Sequence, residues 1–500
     1  MEYLECEKKR ILVANRGEIA IRILKAIREL GHTAVAIYSE ADKFSPHLTF
    51  ADEAYFIGES EASKSYLNID RIIDVAKKNK IDAIHPGYGF LAENTKFADA
   101  VKSSNMVWIG PEPKSMYDVG DKIRAREVAK STGVPIIPGV TLDNNIDPVD
   151  AAKRLGFPIL IKASAGGGGK GMRIVRNERE LLDNINIARK EAESSFADPT
   201  IYFEKLLEEP HHIEIQVLAD KFGNAYYFPE RECSVQRRYQ KIVEESPSTT
   251  IDRMQAKAMG EAALKVIKKI AYDSAGTVEF MVDKNKNFYF LEVNTRIQVE
   301  HPVTEEITGI DLVANQIEVA FGKSLSFNQD SLNIPKGHAI EARVYAEDPV
   351  NNFIPSTGKI DYYEIPYGAG IRLDDGACKG FVIPIHYDPI ISKVIARGRD
   401  RKQSLYRLYY ALSNYRILPL KTTIPFIMNI IKHPEFIKGN YDTNFINKNY
   451  EKLFDENEEY IPLAIACYYY LSSQGISNDY SLTGGETLKE CWEHLTNFRG

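Results

Sequence analysis

Residues 277–300 read TVEFMVDKNKNFYFLEVNTRIQVE and contain two strand-like segments separated by a short polar one. Residues 277–282 and 288–294 are rich in valine, phenylalanine and tyrosine, which favour β-strands, whereas residues 283–287 are polar and typical of a turn. The pattern therefore predicts an antiparallel β-hairpin within the largest domain of the chain.

Two acidic residues interrupt these otherwise apolar strands. If the hairpin is centred between Asn285 and Lys286, Glu279 lies directly opposite Glu292. Like charges in this position are destabilising unless a cation lies between them, and two carboxylates with the amide oxygen of Asn294 are the hard oxygen ligands that Mg²⁺ prefers. The alternative is that both glutamates face solvent on an amphipathic hairpin, but the apolar composition of the strands favours a metal site.

The segment that follows the hairpin carries three polar side chains at alternate positions. In an extended backbone Arg296, Gln298 and Glu300 share one face, whereas the apolar residues between them share the other. An arginine, an amide and a carboxylate beside a metal site are suited to hold a small planar oxyanion and to remove its proton. A solvated charged edge is the alternative for this segment if it is considered without the hairpin.

The N-terminal region has the pattern of a βαβ unit, which predicts a parallel sheet. Residues 11–14 are apolar, residues 17–30 carry isoleucine and leucine at helical spacing, and residues 33–38 are again strand-like. The intervening turn, residues 15–17, lacks the G-x-G-x-x-G dinucleotide fingerprint, so a nicotinamide dehydrogenase is disfavoured.

A glycine-rich loop lies between two predicted strands, at residues 158–163 and 172–175. It fails the P-loop pattern because Ser164 stands at the first glycine position and Gly171 at the Ser/Thr position. Successive glycines still let backbone N–H groups approach a phosphate, and a flexible hairpin tip is the alternative. Lys162 and Lys170 flank the loop with positive charge, and the predicted phosphate contacts are Gly167, Gly168, Gly169 and Lys162.

Composition and charge exclude several classes of function. Lys and Arg number 63 and Asp and Glu number 70, so the net charge of −7 argues against nonspecific binding to nucleic acid or to anionic membranes. The five cysteines show no C-x-x-C spacing that would indicate a zinc ribbon or a disulfide framework. The N-terminus lacks a signal-peptide pattern, and the apolar stretch 461–471 is too short to span a bilayer, so a cytoplasmic location is expected.

The chain resembles the biotin carboxylase subunit of biotin-dependent carboxylases, which are ATP-grasp enzymes, from about Arg10 to Tyr450. The motifs that carry the resemblance are ANRGEIA (14–20), HPGYGFLAEN (85–94), GDK (120–122), the glycine loop, EK (204–205), HIEIQVLAD (212–220), ERECSVQRR (230–238), EVNTRIQVEHPVTE (292–305) and HAIEARVYAEDP (338–349). The order of these motifs is highly specific.

The resemblance implies a fold of the mixed α/β and α+β class. It places an N-terminal Rossmann-like domain with a parallel sheet before an ATP-grasp domain with a small β-rich lid, and a larger C-terminal α+β region after them. The implied boundaries are 1–120 for the N-terminal domain, 121–335 for the ATP-grasp domain with its lid at 133–205, 336–450 for the C-terminal domain and 451–500 for a helical tail of unknown role.

The resemblance also implies the site residues. The nucleotide contacts are Lys122, Lys162, Glu204 in the adenine pocket, Leu207 through its backbone, His212 and Gln236; the ligands of Mg²⁺ or Mn²⁺ are Glu279, Glu292 and Asn294. The bicarbonate site comprises Lys241, Arg296, Gln298, Val299 and the general base Glu300, and Arg343 meets the biotin ureido group. The sequence departs from the family at Tyr239, where histidine is usual, which puts a phosphate contact at that position in doubt.

Biotin is expected on a separate carrier protein. The family's carrier presents a lysine between two methionines, and none of the eight methionines here is followed by lysine. The expected partners are therefore a biotin carboxyl carrier protein and a carboxyltransferase subunit, and the family is typically homodimeric. The final acceptor stays open among pyruvate, acetyl-CoA and propionyl-CoA, with a preference for pyruvate.

The sequence leaves two other functions open. Another ATP-grasp ligase, such as a carbamoyl-phosphate or purine-pathway enzyme, would pass an activated carboxylate to an amine. The RIQVEHPVTE segment and Arg343 in its own motif favour biotin instead. An ATP-binding scaffold without turnover is the second alternative; the intact set of charged site residues argues against it, and only Tyr239 argues for it.

Overall fold

The computed structural model describes residues 7–142, 146–163, 172–196 and 198–454. The predicted glycine contacts Gly167, Gly168 and Gly169, and nearly all of the predicted helical tail, lie outside the described residues. Residues up to Leu453 belong to one unit. The domain boundaries given above stay a prediction.

The N-terminal region forms a five-stranded parallel sheet with helices on its faces. Its elements are β1 (Arg10–Val13), α1 (Gly17–Glu29), β2 (Thr33–Ser39), β3 (Glu53–Gly58), α2 (Ile69–Lys78), β4 (Ala83–His85), α3 (Thr95–Ser103), β5 (Val107–Trp108) and α4 (Pro113–Gly120). The strand order is β3-β2-β1-β4-β5. Ile19, Ile23 and Ile27 of α1 are buried because their helical spacing brings them to the face that packs on the sheet. The predicted βαβ opening is thus confirmed.

The second region is a four-stranded antiparallel sheet with order β6-β9-β7-β8. Its elements, with the helix that leads into it, are α5 (Lys122–Ser131), β6 (Gly139–Thr141), α6 (Pro148–Leu155), β7 (Ile159–Ala163), β8 (Arg173–Val175), α7 (Leu181–Phe196) and β9 (Ile201–Lys205). Alternate residues Ile159, Ile161 and Ala163 of β7 are buried in its small apolar core, as the period of a strand requires.

The third region is built on a large antiparallel sheet. Its first elements are β10 (His211–Ala219), β11 (Ala225–Tyr227), β12 (Arg231–Arg237), β13 (Gln240–Ser246), α8 (Arg253–Lys269), β14 (Ala275–Val282), β15 (Phe288–Asn294), α9 (His301–Thr308), α10 (Leu312–Ala320), α11 (Gln329–Leu332) and β16 (His338–Tyr345). The remaining elements are β17 (Glu347–Asp348), β18 (Ile354–Pro355), β19 (Gly358–Lys359), β20 (Tyr362–Glu364), β21 (Ile371–Asp375), β22 (Val382–Ile383), β23 (Ile390–Gly398), α12 (Arg401–Ser413), β24 (Arg416–Leu418), α13 (Ile424–Lys432), α14 (Pro434–Lys438), α15 (Phe445–Lys448) and α16 (Tyr450–Leu453).

This sheet has nine strands in the order β15-β14-β10-β12-β13-β16-β23-β21, with β11 beside β10. It is continuous across the predicted boundary between residues 335 and 336, because β13 pairs with β16. The charged residues of β10, β13, β14 and β16 are therefore brought side by side on one sheet. The functional site lies on this arrangement.

The predicted hairpin is formed by β14 and β15, with one difference in its register. Next to the turn, Phe280 pairs with Phe290, whereas the predicted centre would pair Phe280 with Leu291. A β-bulge between Glu279 and Phe280 then restores the predicted pairing of Glu279 with Glu292. No helix of the described residues has the length and apolar character needed to cross a membrane.

Candidate active site

A cleft of about 1290 Å³ lies where the three sheets meet. Its lining includes fourteen of the predicted site residues: Lys122, Lys162, Glu204, Leu207, His212, Gln236, Lys241, Glu279, Glu292, Asn294, Arg296, Gln298, Val299 and Arg343. Glu300 is fully buried directly behind this lining and contacts two of the lining residues. The structure thus brings the predicted site residues that it describes to one place.

The paired glutamates of the hairpin have different surroundings. Glu279 is buried and accepts hydrogen bonds from Asn294 Nδ2 (2.9 Å), Lys241 Nζ (3.0 Å) and Gln298 Nε2 (3.1 Å). Burial alone would raise the pKa of Glu279, but Lys241 and His212 bring that pKa well below its usual range. Burial raises the pKa of Glu292, and the negative charge of Glu279 opposite raises it further.

A divalent cation fits this pair of carboxylates. Glu292 carries a charge that its surroundings disfavour, and a cation between Glu279 and Glu292 would relieve the repulsion while taking the oxygen ligands that Mg²⁺ prefers. The amide oxygen of Asn294 accepts a hydrogen bond from Arg296 Nη2 (3.0 Å). The amide nitrogen of Asn294 donates a hydrogen bond to Glu279 and so orients that carboxylate. The two glutamates could therefore hold the metal together.

Arg296 is held with its guanidinium in one orientation. Its Nη1 donates to Gln298 Oε1 (2.7 Å), and its Nε donates to Glu93 Oε2 (2.9 Å). The predicted sharing of one face by Arg296 and Gln298 is consistent with this contact. Glu93 was not predicted as a site residue, although it belongs to the HPGYGFLAEN motif.

Glu300 does not continue the extended segment as predicted. The chain turns at Glu300, which is the N-cap residue of α9, because Pro302 occupies the first turn of the helix and is favoured there. The carboxylate nevertheless reaches the site, where its Oε1 accepts from Lys241 Nζ (2.5 Å) and its Oε2 from Arg343 Nη2 (2.8 Å). Burial alone would raise the pKa of Glu300, but Lys241, Arg343 and Arg231 hold that pKa well below its usual value, so the group is ionised.

Two charged residues of this cluster were missed from the sequence. Lys241 also donates to Glu214 Oε2 (2.6 Å), and the fully buried Arg231 pairs with the other oxygen of Glu214. Glu214 faces Glu279 across the pair β10 and β14. The signal was the alternation in the HIEIQVLAD motif, which places Glu214 on the same face of its strand as His212.

The nucleotide end of the cleft contains the predicted lysines. Lys162 pairs with Glu204 in the second sheet, and burial lowers the pKa of Lys122 at the start of α5, with the positive charge of Lys162 lowering it further. His212 Nε2 lies 2.9 Å from Glu279 Oε2, and Gln236 Nε2 lies 2.7 Å from His212 Nδ1. All of these side chains line the same cleft as the paired glutamates.

Val299 and Tyr239 lie in different surroundings. The carbonyl oxygen of Val299 accepts from the buried Lys393 Nζ (2.9 Å), a residue that was not predicted to belong to the site. Tyr239 has a positive φ of 67° in the turn between β12 and β13, and its side chain is exposed. Tyr239 nevertheless lines the cleft.

Three family profiles match consecutive parts of the chain. The profile described as biotin carboxylase, N-terminal domain, matches residues 7–116, and that described as biotin carboxylase C-terminal domain matches residues 341–448. Between them, the profile described as carbamoyl-phosphate synthase L chain, ATP binding domain, matches residues 121–328.

Relatives that match over most of their length distinguish the biotin carboxylase family from the carbamoyl-phosphate synthase family. Biotin carboxylase 1 of Bacillus subtilis is 48% identical over 441 residues, which cover 88% of this chain and 98% of that protein. The chain belongs to the biotin carboxylase family. A pyruvate carboxylase subunit of Methanothermobacter thermautotrophicus is 50% identical over 443 residues, which cover 88% of this chain and 89% of that protein.

A solved structure gives the same assignment. The biotin carboxylase domain dimer of Hydrogenobacter thermophilus 2-oxoglutarate carboxylase, in complex with MgADP, ADP and bicarbonate, is 45% identical with a TM-score of 0.86, and the match covers 89% of this chain and 98% of that one. The predicted ATP-grasp fold and the predicted enzyme class, an ATP-dependent ligase, are both confirmed. The amine-directed ligase and the inactive scaffold are disfavoured accordingly.

Proposed function

We propose that this biotin carboxylase uses ATP and bicarbonate to carboxylate biotin on a separate carrier protein, with Glu300 as the general base. The observation that carries this assignment is the position of the Glu300 carboxylate. It is fully buried, ionised and held between Lys241 and Arg343, which both line the cleft. A base held in this way is in the correct protonation state before the substrate arrives.

Bicarbonate is expected to bind beside Arg296 and Gln298. Both donate hydrogen bonds suited to a planar oxyanion, and Arg296 is pre-oriented by Glu93 and Gln298. Glu300 would take the bicarbonate proton as a bicarbonate oxygen attacks the γ-phosphorus of ATP and ADP leaves. The product of this step is carboxyphosphate.

The resting Glu300 is a weak base because both its oxygens accept charged hydrogen bonds. Movement of either cation toward a negatively charged substrate would raise the pKa of Glu300 toward its ordinary value. Since Lys241 and Arg343 line the cleft, substrate binding and base activation are coupled through the same two side chains. This coupling limits proton removal to the state in which the substrate is bound.

Charge on the transferring phosphoryl group is expected to be met by lysines and by the metal site. Lys122 and Lys162 line the nucleotide end of the cleft and are placed to contact phosphate oxygens. Glu279 and Glu292 would hold Mg²⁺ or Mn²⁺, which when bound neutralises charge on the phosphates. Positioning and electrostatic stabilisation are the main requirements of phosphoryl transfer.

Carboxyphosphate would then decompose to CO₂ and phosphate beside biotin. The phosphate would accept the ureido N–H proton as the nitrogen attacks CO₂, and Arg343 would stabilise the negative charge on the ureido oxygen. Arg343 is oriented for this by Glu244 Oε1, which accepts from its Nε (2.5 Å). Water must be excluded at this stage, since it would hydrolyse the activated intermediate.

The proposal includes the partners of the reaction. A biotin carboxyl carrier protein and a carboxyltransferase subunit would complete the enzyme, and the chain would act as a homodimer, as supported by the dimeric relative from Hydrogenobacter. Pyruvate is the preferred final acceptor because the pyruvate carboxylase subunit of Methanothermobacter is among the most similar relatives.

The function is tested by ADP release from the purified chain. We expect release that depends on bicarbonate and is accelerated by free biotin, and we expect Glu300→Gln to lower it by about 10²–10⁴-fold without weakening ATP binding. Glu245→Gln is the matched control. Glu245 is buried like Glu300, but its carboxylate pairs with His338 and Arg401 instead of Lys241 and Arg343. ADP release driven by an amine, or unchanged turnover in Glu300→Gln, would reject the proposal.

A further inference from the structure

Glu204 in β9 is paired with two cations at once. Its Oε1 accepts from Arg126 Nη1 and its Oε2 contacts Lys162 Nζ. Glu204 is only 3% exposed. One buried carboxylate is therefore shared by a buried lysine and a partly buried arginine, of which only Lys162 lines the cleft in the described part of the chain.

Arg126 is held in this position by contacts with its neighbours. It lies one turn after Lys122 on α5, and its Nη2 donates to the carbonyl oxygen of Ile137 (2.7 Å). Gly139 pairs with Glu204 across β6 and β9, and a Cβ at position 139 would lie 2.6 Å from the backbone oxygen of Phe203, 2.9 Å from Arg126 Nη2 and 3.2 Å from Glu204 Cγ. The absence of a side chain at Gly139 makes room for the ion pair.

In the proposed function a nucleotide phosphate competes with Glu204 for the ammonium group of Lys162. Lys162 cannot donate its charge fully to a nucleotide phosphate while it stays on Glu204. Without another partner, the departure of Lys162 would leave a buried carboxylate unpaired, which is strongly unfavourable. Arg126 contacts the other oxygen of Glu204 and lies behind it, so it can stay in place when Lys162 moves.

We propose that Arg126 is a positioning residue that keeps Glu204 neutralised and thereby releases Lys162 to bind the phosphates of the nucleotide. The inference rests on the proposed role of Lys162 as a phosphate ligand. It assigns to Arg126 no contact with the nucleotide. Arg126 thus contributes selectively to the binding of nucleotides that carry phosphates, and not to the binding of the nucleoside.

Calorimetric titration of the full chain with ADP and with adenosine tests this inference. We expect Arg126→Met to weaken ADP binding by about 10–100-fold, because Lys162 must then stay on Glu204 or leave it unpaired, and to change adenosine binding by less than about 3-fold. Arg126→Lys should restore most of the ADP affinity. Arg124→Met is the matched control, since Arg124 lies on the same helix and packs on the exposed Tyr117.

Two further variants separate this inference from the proposed function. Lys162→Met should weaken ADP selectively, and in that background Arg126→Met should have no further selective effect. If Lys162→Met changes ADP and adenosine alike, the role of Lys162 is wrong. If Lys162→Met is selective but Arg126→Met is not, only the role of Arg126 is wrong.

Poor folding of Arg126→Met does not prevent the test. Arg126→Gln keeps a hydrogen-bond donor at this position without the positive charge, so it should also weaken ADP more than adenosine. Equal weakening of both ligands by Arg126→Gln and by Arg126→Lys would indicate a structural role alone and would overturn the inference.

Discussion

Replacement of Lys393 by methionine is expected to remove the cation that links helix α1 to the backbone at Val299. Lys393 in β23 is 0% exposed. Its Nζ lies 3.1 Å from Glu18 Oε2 and 3.7 Å from Asp374 Oδ2, and it donates to the carbonyl oxygen of Val299 (2.9 Å). Methionine has a similar length but supplies none of these contacts.

The expected loss of stability depends on whether Asp374 and Glu18 keep another cation after Lys393 is removed. Asp374 keeps Arg372, which contacts both its oxygens at 2.8 and 2.9 Å. Glu18 keeps only the hydroxyl of Tyr88, a neutral donor, among the contacts described. Glu18 is therefore left without a cation, and the buried Glu341 also loses the positive charge of Lys393, so we expect the free energy of unfolding to fall by about 3–5 kcal/mol at pH 8.5.

The loss should be smaller at lower pH. Burial already raises the pKa of Glu18 in the native protein, although Lys393 opposes that shift. Without Lys393 the pKa of Glu18 rises further, so the folded variant binds a proton that the unfolded chain does not bind at neutral pH. The stability of the variant then increases as pH falls, by at most about 1.4 kcal/mol per pH unit, until the loss is largely offset.

Urea unfolding at pH 6.5 and 8.5, followed by circular dichroism, measures both effects. Lys402→Met is the control because Lys402 is exposed on α12, and we expect a change below about 0.5 kcal/mol at both pH values. A loss below about 1 kcal/mol for Lys393→Met, or a loss that is equal at the two pH values, would refute the electrostatic reasoning.

Two other substitutions test charges at separate places. Glu292→Gln removes one of the paired carboxylates, so the Mg²⁺ concentration for half-maximal ADP formation should rise by at least about 10-fold. Glu261→Gln, on the exposed face of α8, should leave that concentration unchanged. An unaltered Mg²⁺ requirement in Glu292→Gln would contradict the metal assignment. Burial raises the pKa of Asp375 to about 6, so the folded state loses stability as pH rises through that value, and Asp375→Asn should raise the free energy of unfolding by about 1–3 kcal/mol at pH 8 but not at pH 4. An equal effect of Asp375→Asn at both pH values would count against that pKa.

The parts of the site that the sequence predicts are those set by local periodicity. Glu279 and Glu292 are brought together by one hairpin, whose short polar turn fixes the pairing to within one position. The β-bulge beside Glu279 is not visible in the sequence, because a single extra residue leaves the apolar pattern of the strand nearly unchanged.

Residues that depend on long-range pairing could not be predicted in the same way. Arg231, Glu214 and Lys393 enter the site because β10, β12, β13, β16 and β23 lie side by side in one sheet. Neither strand order nor register across such distances follows from periodicity. A buried lysine or arginine is also identical in the sequence to an exposed one. The turn at Glu300 is the intermediate case, since Pro302 two residues later signals the start of a helix.

The central claim is that Glu300, Arg296 and Gln298 direct an oxygen of bicarbonate, rather than water, at the γ-phosphorus of ATP. Turnover with ¹⁸O-labelled bicarbonate in unlabelled water, followed by mass spectrometry of the inorganic phosphate, tests it most directly. We expect one ¹⁸O atom in each phosphate released, because the bond formed between bicarbonate oxygen and phosphorus is kept when carboxyphosphate gives up CO₂. Phosphate without label would mean that water is the nucleophile and would contradict the account.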